Sequence, residues 1–285
     1  GEIDRTDYQV VPLDSGPSLT ARQEFSQSKQ FYPNLRFKDR VISYSFDPRC
    51  TDGKKQQIAE AFVLFEEETI VEFVPTLSEP DLFIACSELA PEPESEGHFV
   101  AGEGGPTKIL NGSLYTIILE GKISLYEDEE CGKPHIAVHE LLHVFGFDHN
   151  SDPQSILYPT LDCDQVYNEY FFESINDLYE ADSLPELVPQ NIELEKTGRY
   201  IQFTIEVANE GLDIAPNVEL TLIVDGAVAD TFQLGDIDVG TKKIFRVENF
   251  RVARGARTVE FKVDTGNKIR ELSEANNNAI FTIEG

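Results

Sequence analysis

The sequence predicts an α+β domain followed by an all-β sandwich, and three observations lead to this division of the chain. Residues 35–182 contain strand patterns with one helical pattern among them and two helical patterns at the end, an order typical of an α+β domain. Residues 183–189 contain two prolines and predict a short, stiff linker. Residues 190–285 contain alternating runs separated by Gly, Asn and Asp, which predict a β-sandwich of about seven strands.

The chain begins with a polar stretch and a first predicted helix. Residues 1–34 show little periodicity and predict an extended lead-in or pro-segment. Asp52 is the predicted N-cap of the helix that follows. Its apolar residues Ile58, Phe62 and Phe65 recur at helical spacing, which predicts that one face of this helix is buried.

Strands and two more helices are predicted further along the first domain. The predicted strands are 40–46, 71–74, 82–85, 99–101, 115–119 and 123–126. The glycine-rich stretch 102–106 follows the run at 99–101. Pro134 fits the first turn of a second helix, which Gly146 ends. The third helix is predicted over 164–179, with Val166 on its inner side.

The second helix carries a metal-binding pattern, HExxHxxGxxH, that begins at His139. His139 and His143 are four residues apart, so both imidazoles leave one helix face. Gly146 adopts a left-handed conformation easily, which lets the chain turn back and bring His149 to the other two. Three protein ligands and one open position are what a catalytic zinc site needs. Glu140 lies beside the first ligand but off its face, where a carboxylate can take a proton from water.

Two further histidines lie outside this pattern. His135 is one turn before His139, but it lacks the adjacent Glu and the Gly-x-x-His continuation. It is therefore predicted to support a ligand or to lie on the surface. His98 is far away in sequence and is predicted to be a loop histidine, with the lining of the cleft as the alternative.

Composition excludes several classes of partner. The net charge is −29, from 52 acidic and 23 basic residues, and such a field repels nucleic acid and anionic lipid. An acidic surface is compatible with calcium binding, or it serves only to keep the protein in solution. No run of about 18 apolar residues is present, so no membrane-spanning segment is predicted in this sequence.

The four cysteines form no CxxC pair, which argues against a zinc knuckle. An even number in an exported protein predicts two disulfides. Cys131 precedes the second helix and Cys163 follows the turn after it, so a bond between them would close the chain around the metal site. That leaves Cys50 and Cys86 as the second pair. Four buried thiols are the alternative.

The histidine pattern resembles that of the metzincin clan of zinc endopeptidases, which place a Met-containing turn below the metal. Residues 155–159 are similar to that turn in its matrixin form, with Leu157 at the methionine position. Residues 175–179 are similar to the end of the last matrixin helix. The resemblance covers residues 35–182 and includes the order of strands and helices.

This resemblance implies a twisted mixed sheet with three helices, one catalytic Zn²⁺ and a protein or peptide substrate. It further implies an edge strand near Val100, Ala101, Gly102 and Glu103 that aligns the substrate backbone by β-addition. The glycines of this strand would let another backbone approach closely, with a surface loop as the alternative. Tyr158 would lie near the oxyanion or the side-chain pocket, or would contribute packing alone.

Two residues depart from the matrixin pattern. Leu157 keeps an apolar side chain of similar volume but lacks the thioether, a change that should cost little stability. Asn150 follows the third histidine, where matrixins usually have Ser or Thr. The sequence has no clear match to the matrixin structural zinc site or to its inhibitory cysteine segment. These features favour a minimal, prokaryotic type.

The C-terminal part resembles the CARDB module, an adhesion-related domain of bacterial and archaeal surface proteins. The resemblance rests on residues 207–211, 224–226 and 269–277. It implies an immunoglobulin-like sandwich without catalytic chemistry. It also implies a secreted or cell-surface protein whose sandwich binds a surface, although a shared fold alone does not establish binding.

The sequence as a whole predicts a zinc-dependent endopeptidase that hydrolyses peptide bonds with a zinc-activated water and Glu140 as the general base. A catalytically silent, metalloprotease-like adhesion protein is the alternative. A latent enzyme, with the lead-in or the sandwich covering the cleft, is a third hypothesis.

Overall fold

The computed structural model describes residues 9–12, 29–86, 89–91 and 100–283. In chain order, its elements are β1 (Gln9–Pro12), β2 (Leu35–Phe37), β3 (Val41–Phe46), α1 (Asp52–Glu68), β4 (Glu72–Pro75), β5 (Leu82–Ala85), β6 (Gly102–Asn111), β7 (Thr116–Leu125), α2 (His135–Val144), α3 (Glu169–Tyr179), β8 (Leu187–Thr197), β9 (Tyr200–Asn209), β10 (Ala215–Val224), β11 (Ala227–Ile237), β12 (Thr241–Arg251), β13 (Thr258–Val263) and β14 (Asn278–Thr282). These elements form two compact units, with a boundary between Asp182 and Ser183. We call them the N-terminal unit and the C-terminal unit.

A six-stranded mixed sheet forms the centre of the N-terminal unit. Five strands are parallel, in the order β2-β7-β5-β3-β4, and β6 pairs antiparallel with the other side of β7. Side chains of α1, α2 and α3 share one hydrophobic core with the sheet, in which Phe65 of α1 lies against Phe145 and Phe172. The predicted α+β class, with a mixed sheet and three helices, is confirmed.

The N-cap of the first helix lies one residue earlier than predicted. Thr51 is the N-cap, because its backbone is extended and its hydroxyl accepts a hydrogen bond from the backbone N–H of Lys54. Asp52 is instead the first helical residue, where its negative charge favours the helix N-terminus. Ile58, Phe62 and Phe65 are buried, as the spacing predicts.

The edge strand predicted near residues 100–103 begins at Gly102, as the first part of β6, and the surface-loop alternative is wrong for residues 102–106. In contrast, β7 is one strand where two were predicted. A Cβ atom at Gly121 of β7 would come within 2.9 Å of a Val144 methyl group, and Cβ atoms at Gly102 and Gly104 of β6 would meet Glu140. These three glycines therefore allow close packing against α2.

The third helix begins later than predicted, at Glu169, after Asn168 caps its first turn. The residues just before this helix instead form backbone hydrogen bonds with residues 154–156. The backbone N–H of Val166 donates to Gln154, and the N–H of Ile156 donates to Val166. Val166 is 56% exposed, so its predicted inner position is wrong.

Both predicted disulfides are present, and the alternative of four buried thiols is wrong. Cys50 is bonded to Cys86 and Cys131 to Cys163, with Cα–Cα distances of 4.9 and 5.3 Å. The second bond joins the chain before α2 to the loop before α3, at a sequence separation of 32 residues.

Replacing Cys131 and Cys163 together with serine should lower the free energy of unfolding of the N-terminal unit by about 3–4 kcal/mol. The reason is that a cross-link across a long loop removes chain entropy from the unfolded state. Urea unfolding followed by circular dichroism measures the loss. The matched replacement of Cys50 and Cys86 should cost a similar amount, because that loop spans 36 residues. An unchanged unfolding midpoint would contradict the prediction.

The C-terminal unit consists of two four-stranded antiparallel sheets, ordered β1-β12-β9-β8 and β11-β10-β13-β14. Their apolar side chains share one core, in which the ring of Phe203 lies 4.8 Å from that of Phe261 in the opposite sheet. Seven strands come from residues 187–282, as expected. The immunoglobulin-like character of this unit stays a prediction. The strand β1 comes from the predicted lead-in, of which only 9–12 and 29–34 are described.

The predicted linker, residues 183–189, already contains part of the C-terminal unit. Leu187 begins β8, and the preceding Glu186 is completely buried. The Glu186 carboxylate accepts hydrogen bonds from the backbone N–H of Ser273 and from the Asn276 side chain. A Cβ atom at Gly211 would lie 2.3 Å from the Glu186 nitrogen, so this stretch is tightly packed. No helix among the described residues has the length and hydropathy needed to cross a bilayer.

Candidate metal centre

The short helix α2 and the turn after it place the histidine pattern. Its free N-terminal N–H groups are partly satisfied by Glu129, whose carboxylate accepts from the backbone N–H of Ile136 at 2.9 Å. At the other end Gly146 has a φ of +88°, and a Cβ atom there would lie 2.2 Å from a methyl group of Leu35. Only glycine satisfies both conditions without strain. The helix therefore ends here, and the chain turns toward His149.

The three predicted ligands meet. The Nε2 atoms of His139 and His143 are 3.0 Å apart, and each is 3.2 Å from Nε2 of His149. His139 and His143 are buried, while His149 is exposed. One buried side and one open side are what a site requires if a substrate is to reach it.

Two backbone carbonyls fix the orientation of the first two rings. Nδ1 of His139 donates to the carbonyl oxygen of Ile156, and Nδ1 of His143 donates to that of Phe147, both at 2.6 Å. Each ring therefore carries its proton on Nδ1 and presents the lone pair of Nε2 to the other rings. Burial lowers the pKa of His139 to about 3 and that of His143 to about 4, so both rings are neutral at pH 7.

This donor set fits a zinc ion. Converging lone pairs repel one another unless a cation lies between them, and neutral imidazole is a preferred zinc ligand. Tetrahedral coordination at about 2.0–2.1 Å sets ligand nitrogens about 3.3 Å apart, close to the observed triangle. Carbonyl partners on Nδ1 are the usual outer support of such ligands. His139, His143 and His149 are thus the residues that would hold the ion.

The described part of the chain contains no second group of three or more His, Cys, Asp or Glu side chains with converging ligand atoms. The predicted compatibility with calcium therefore gains no support from the structure. His135 is not a ligand. It is 1% exposed, its Nε2 donates to the Cys163 carbonyl, and its Nδ1 accepts from the Tyr167 hydroxyl. Its predicted surface position is wrong. His98 lies outside the described residues.

Glu140 is a buried carboxylic acid, 4% exposed, with one oxygen unpaired. No described residue hydrogen-bonds to its Oε2, while the backbone N–H of Gly104 donates to the carboxylate. Burial raises the pKa of Glu140 to about 8, and the negative charge of Glu103 adds to the shift. A cation nearby favours the ionised form. An unpaired buried oxygen is costly without a proton, water or ligand, so Glu140 has the properties of a group that exchanges protons.

Glycines of β6 allow the strand to contact α2 at Glu140. A Cβ atom on Gly102 would lie 2.8 Å from Cγ of Glu140, and one on Gly104 would lie 2.0 Å from its carbonyl oxygen. Between them Glu103 accepts a hydrogen bond from the Tyr126 hydroxyl. Glu103 was predicted on the edge strand, but its contact with Tyr126 was not predicted, because nothing in the spacing of these two residues links them to the histidine pattern.

The remaining predicted residues lie around these groups. Gly102 begins β6, and Val100 and Ala101 precede it, half-buried. The carbonyl of Ala101 accepts hydrogen bonds from Tyr126 and Glu127. Their contact with a substrate stays a prediction.

The turn after the third histidine is held by its own hydrogen bonds. The backbone N–H of Asn150 donates to the Leu157 carbonyl, and its side chain donates to the hydroxyl of Ser155. Leu157 is fully buried, whereas Tyr158 is half-buried. Asn150 therefore stabilises this turn. The carbonyl of Ile156, the residue before Leu157, is the one that orients His139.

Comparison with known proteins agrees with this geometry. A family model described as Matrixin (Peptidase_M10) matches residues 36–180, just over half of the chain, and one described as CARDB matches 184–281. No curated protein matches the chain. The crystal structure of a CARDB domain from Pyrococcus furiosus, in complex with di-metal ions, is 19% identical and covers 36% of this chain and 94% of that chain, with a TM-score of 0.32.

A solution structure from Methanosarcina acetivorans, of a domain of a protein described as a cell surface protein, is 24% identical. It covers 35% of this chain and 90% of that chain, with a TM-score of 0.30. Since the matrixin model spans half of the sequence and includes the three histidines, the chain belongs to the matrixin family and carries a CARDB domain after its matrixin domain.

Proposed function

We propose that this protein is a zinc-dependent endopeptidase that acts outside the cell or on its surface. The observation that carries the proposal is the convergence of three Nε2 atoms within 3.2 Å, two of them oriented by carbonyls on the opposite ring nitrogen. Membership of the matrixin family supports the same activity.

Glu140 supplies the proton transfers of the reaction. A zinc ion in this tripod contributes Lewis acidity, which lowers the pKa of water toward neutrality and polarises a carbonyl oxygen. The unpaired Oε2 of Glu140 accepts the proton of the attacking water and returns it to the leaving amine. The N–H of Gly104 holds the carboxylate in place during both transfers.

The substrate backbone binds along β6. Among the described strands β6 pairs only with β7, so its outer edge is available for β-addition by an extended peptide. Gly102 and Gly104 bring this strand against Glu140, so a peptide on that edge lies close to the proposed base. Val100, Ala101 and Tyr158 flank the same region and are proposed to contact the substrate.

The secreted or cell-surface setting rests on two features. Disulfides persist in oxidising compartments, and both pairs of cysteines are bonded here. The CARDB domain resembles modules of surface proteins and is proposed to bind a surface. A silent adhesion protein is the competing function, favoured by the replacement of the expected methionine with Leu157. An unpaired, buried Glu140 argues against it, because a scaffold that only holds metal does not need that residue.

The two functions differ in a simple assay. The purified chain should contain one zinc ion and should cleave an unfolded casein-type substrate, and a chelator or a hydroxamate should stop the cleavage. Zinc at full stoichiometry without cleavage would favour the adhesion protein. Absence of zinc after metal reconstitution would overturn the metal site itself.

A further inference from the structure

A short segment before β2 contacts the backbone that joins α2 to the third histidine. The backbone N–H of Phe31 donates to the Gly146 carbonyl at 2.7 Å, and the N–H of Asp148 donates to the Lys29 carbonyl at 3.1 Å. These bonds make an antiparallel bridge with Gln30 opposite Phe147. We call residues 29–31 the clamp segment. It precedes residue 35, where the first domain was predicted to start.

The side chain of Gln30 makes three further hydrogen bonds. Its Nε2 donates to the carbonyls of Leu35 and Phe145 at 2.6 and 2.8 Å, and its Oε1 accepts from the N–H of Leu35 at 3.0 Å. Phe145 is the C-cap of α2 and Leu35 begins β2. One half-buried amide therefore ties the clamp segment to the sheet and to the end of the metal-binding helix.

The stretch that the clamp segment holds, residues 146–148, serves two of the three ligands. The carbonyl of Phe147 accepts the Nδ1 proton of His143 at 2.6 Å. His149 follows this stretch directly in the chain. In addition, the ring of Phe31 stacks on that of His143, with centroids 6.3 Å apart.

We propose that the clamp segment sets the metal affinity of the site, with Gln30 as a positioning residue for His143 and His149. This inference rests on the zinc site of the proposed function. A ligand set binds metal tightly when its geometry exists before the metal arrives, because ordering it then costs no free energy. Loss of the clamp segment would leave the Phe147 carbonyl and His149 free to move.

The clamp segment should have the opposite effect on the cleavage rate from a pro-segment that covers the cleft. A lead-in that covers the cleft would inhibit the enzyme, so its removal would raise the rate of cleavage. Residues 29–31 stabilise the ligands, so their loss should weaken zinc binding and lower the rate.

The first test is Gln30→Ala in the full chain. Zinc affinity, measured by competition with a chromophoric chelator, should fall at least about 10-fold, the usual effect of losing an outer partner of a metal ligand. The visible absorption of the Co²⁺ form should also change, which a merely structural role would not produce. Gln154→Ala is the matched control, because that glutamine is exposed in the same unit. The zinc affinity of this variant should be unchanged.

A second pair of variants separates the backbone from the ring. Phe31→Pro removes the N–H that donates to Gly146, whereas Phe31→Ala removes only the ring. The proline variant should lose at least about 10-fold in zinc affinity, and the alanine variant clearly less. If the full chain binds zinc and both Gln30→Ala and Phe31→Pro match it, the clamp is wrong and the proposed function stands. Equal losses of zinc affinity in both Phe31 variants would also overturn the clamp, because the Phe31 ring and not the backbone hydrogen bond would then account for the effect. A full chain that binds no zinc overturns both proposals.

Discussion

Replacing Glu140 with glutamine should abolish most peptide cleavage and leave the zinc content unchanged. Glutamine has nearly the same shape and can still accept the hydrogen bond from Gly104, but it cannot take a proton from water. General acid–base catalysis contributes about 10²- to 10⁴-fold, so kcat/KM should fall by a factor in this range. Because the carboxylate is not one of the converging ligands, metal analysis should still give one zinc ion per chain.

The neighbouring carboxylate provides the control for this experiment. Glu103→Gln also removes a negative charge close to the site, but Glu103 is exposed and paired with Tyr126. The kcat/KM of this variant should therefore stay within about 10-fold of that of the unchanged chain, a smaller loss than that expected for a general base. Equal turnover by Glu140→Gln and the unchanged chain would contradict the role assigned to Glu140.

Replacing His143 with alanine should remove both zinc and activity. His143 is one of the three predicted ligands, and its Nε2 lies within 3.2 Å of those of His139 and His149. The loss in affinity should exceed the roughly 10- to 100-fold that follows the loss of an outer partner. Chelator competition and metal analysis measure it.

The matched variant is His135→Ala, on the same helix and equally buried. His135 uses both ring nitrogens on Tyr167 and Cys163, so its loss should leave one zinc ion bound. Full zinc stoichiometry in His143→Ala, or loss of zinc in His135→Ala, would show that the ligand set is assigned wrongly.

The sequence predicted those parts of the protein that depend on local spacing. Residues four apart on a helix share a face, so His139 and His143 could be paired without coordinates. The pairing of Cys131 with Cys163 followed from their places on either side of α2. Patterns failed where a contact overrode them, as at Val166, which was predicted to be helical but forms backbone hydrogen bonds with Gln154 and Ile156.

By itself, the sequence predicted the three ligands and the proposed base, and it showed the resemblance to the family to which the chain belongs. Three features of the site were decided by the tertiary structure alone. The carbonyls of Ile156 and Phe147 orient the rings, and Glu140 is buried. Residues 29–31 contact residues 146–148. The physical reason is that these contacts are made by backbone atoms, which every residue type carries. The residue types in a sequence therefore do not predict which backbone carbonyl will contact which imidazole.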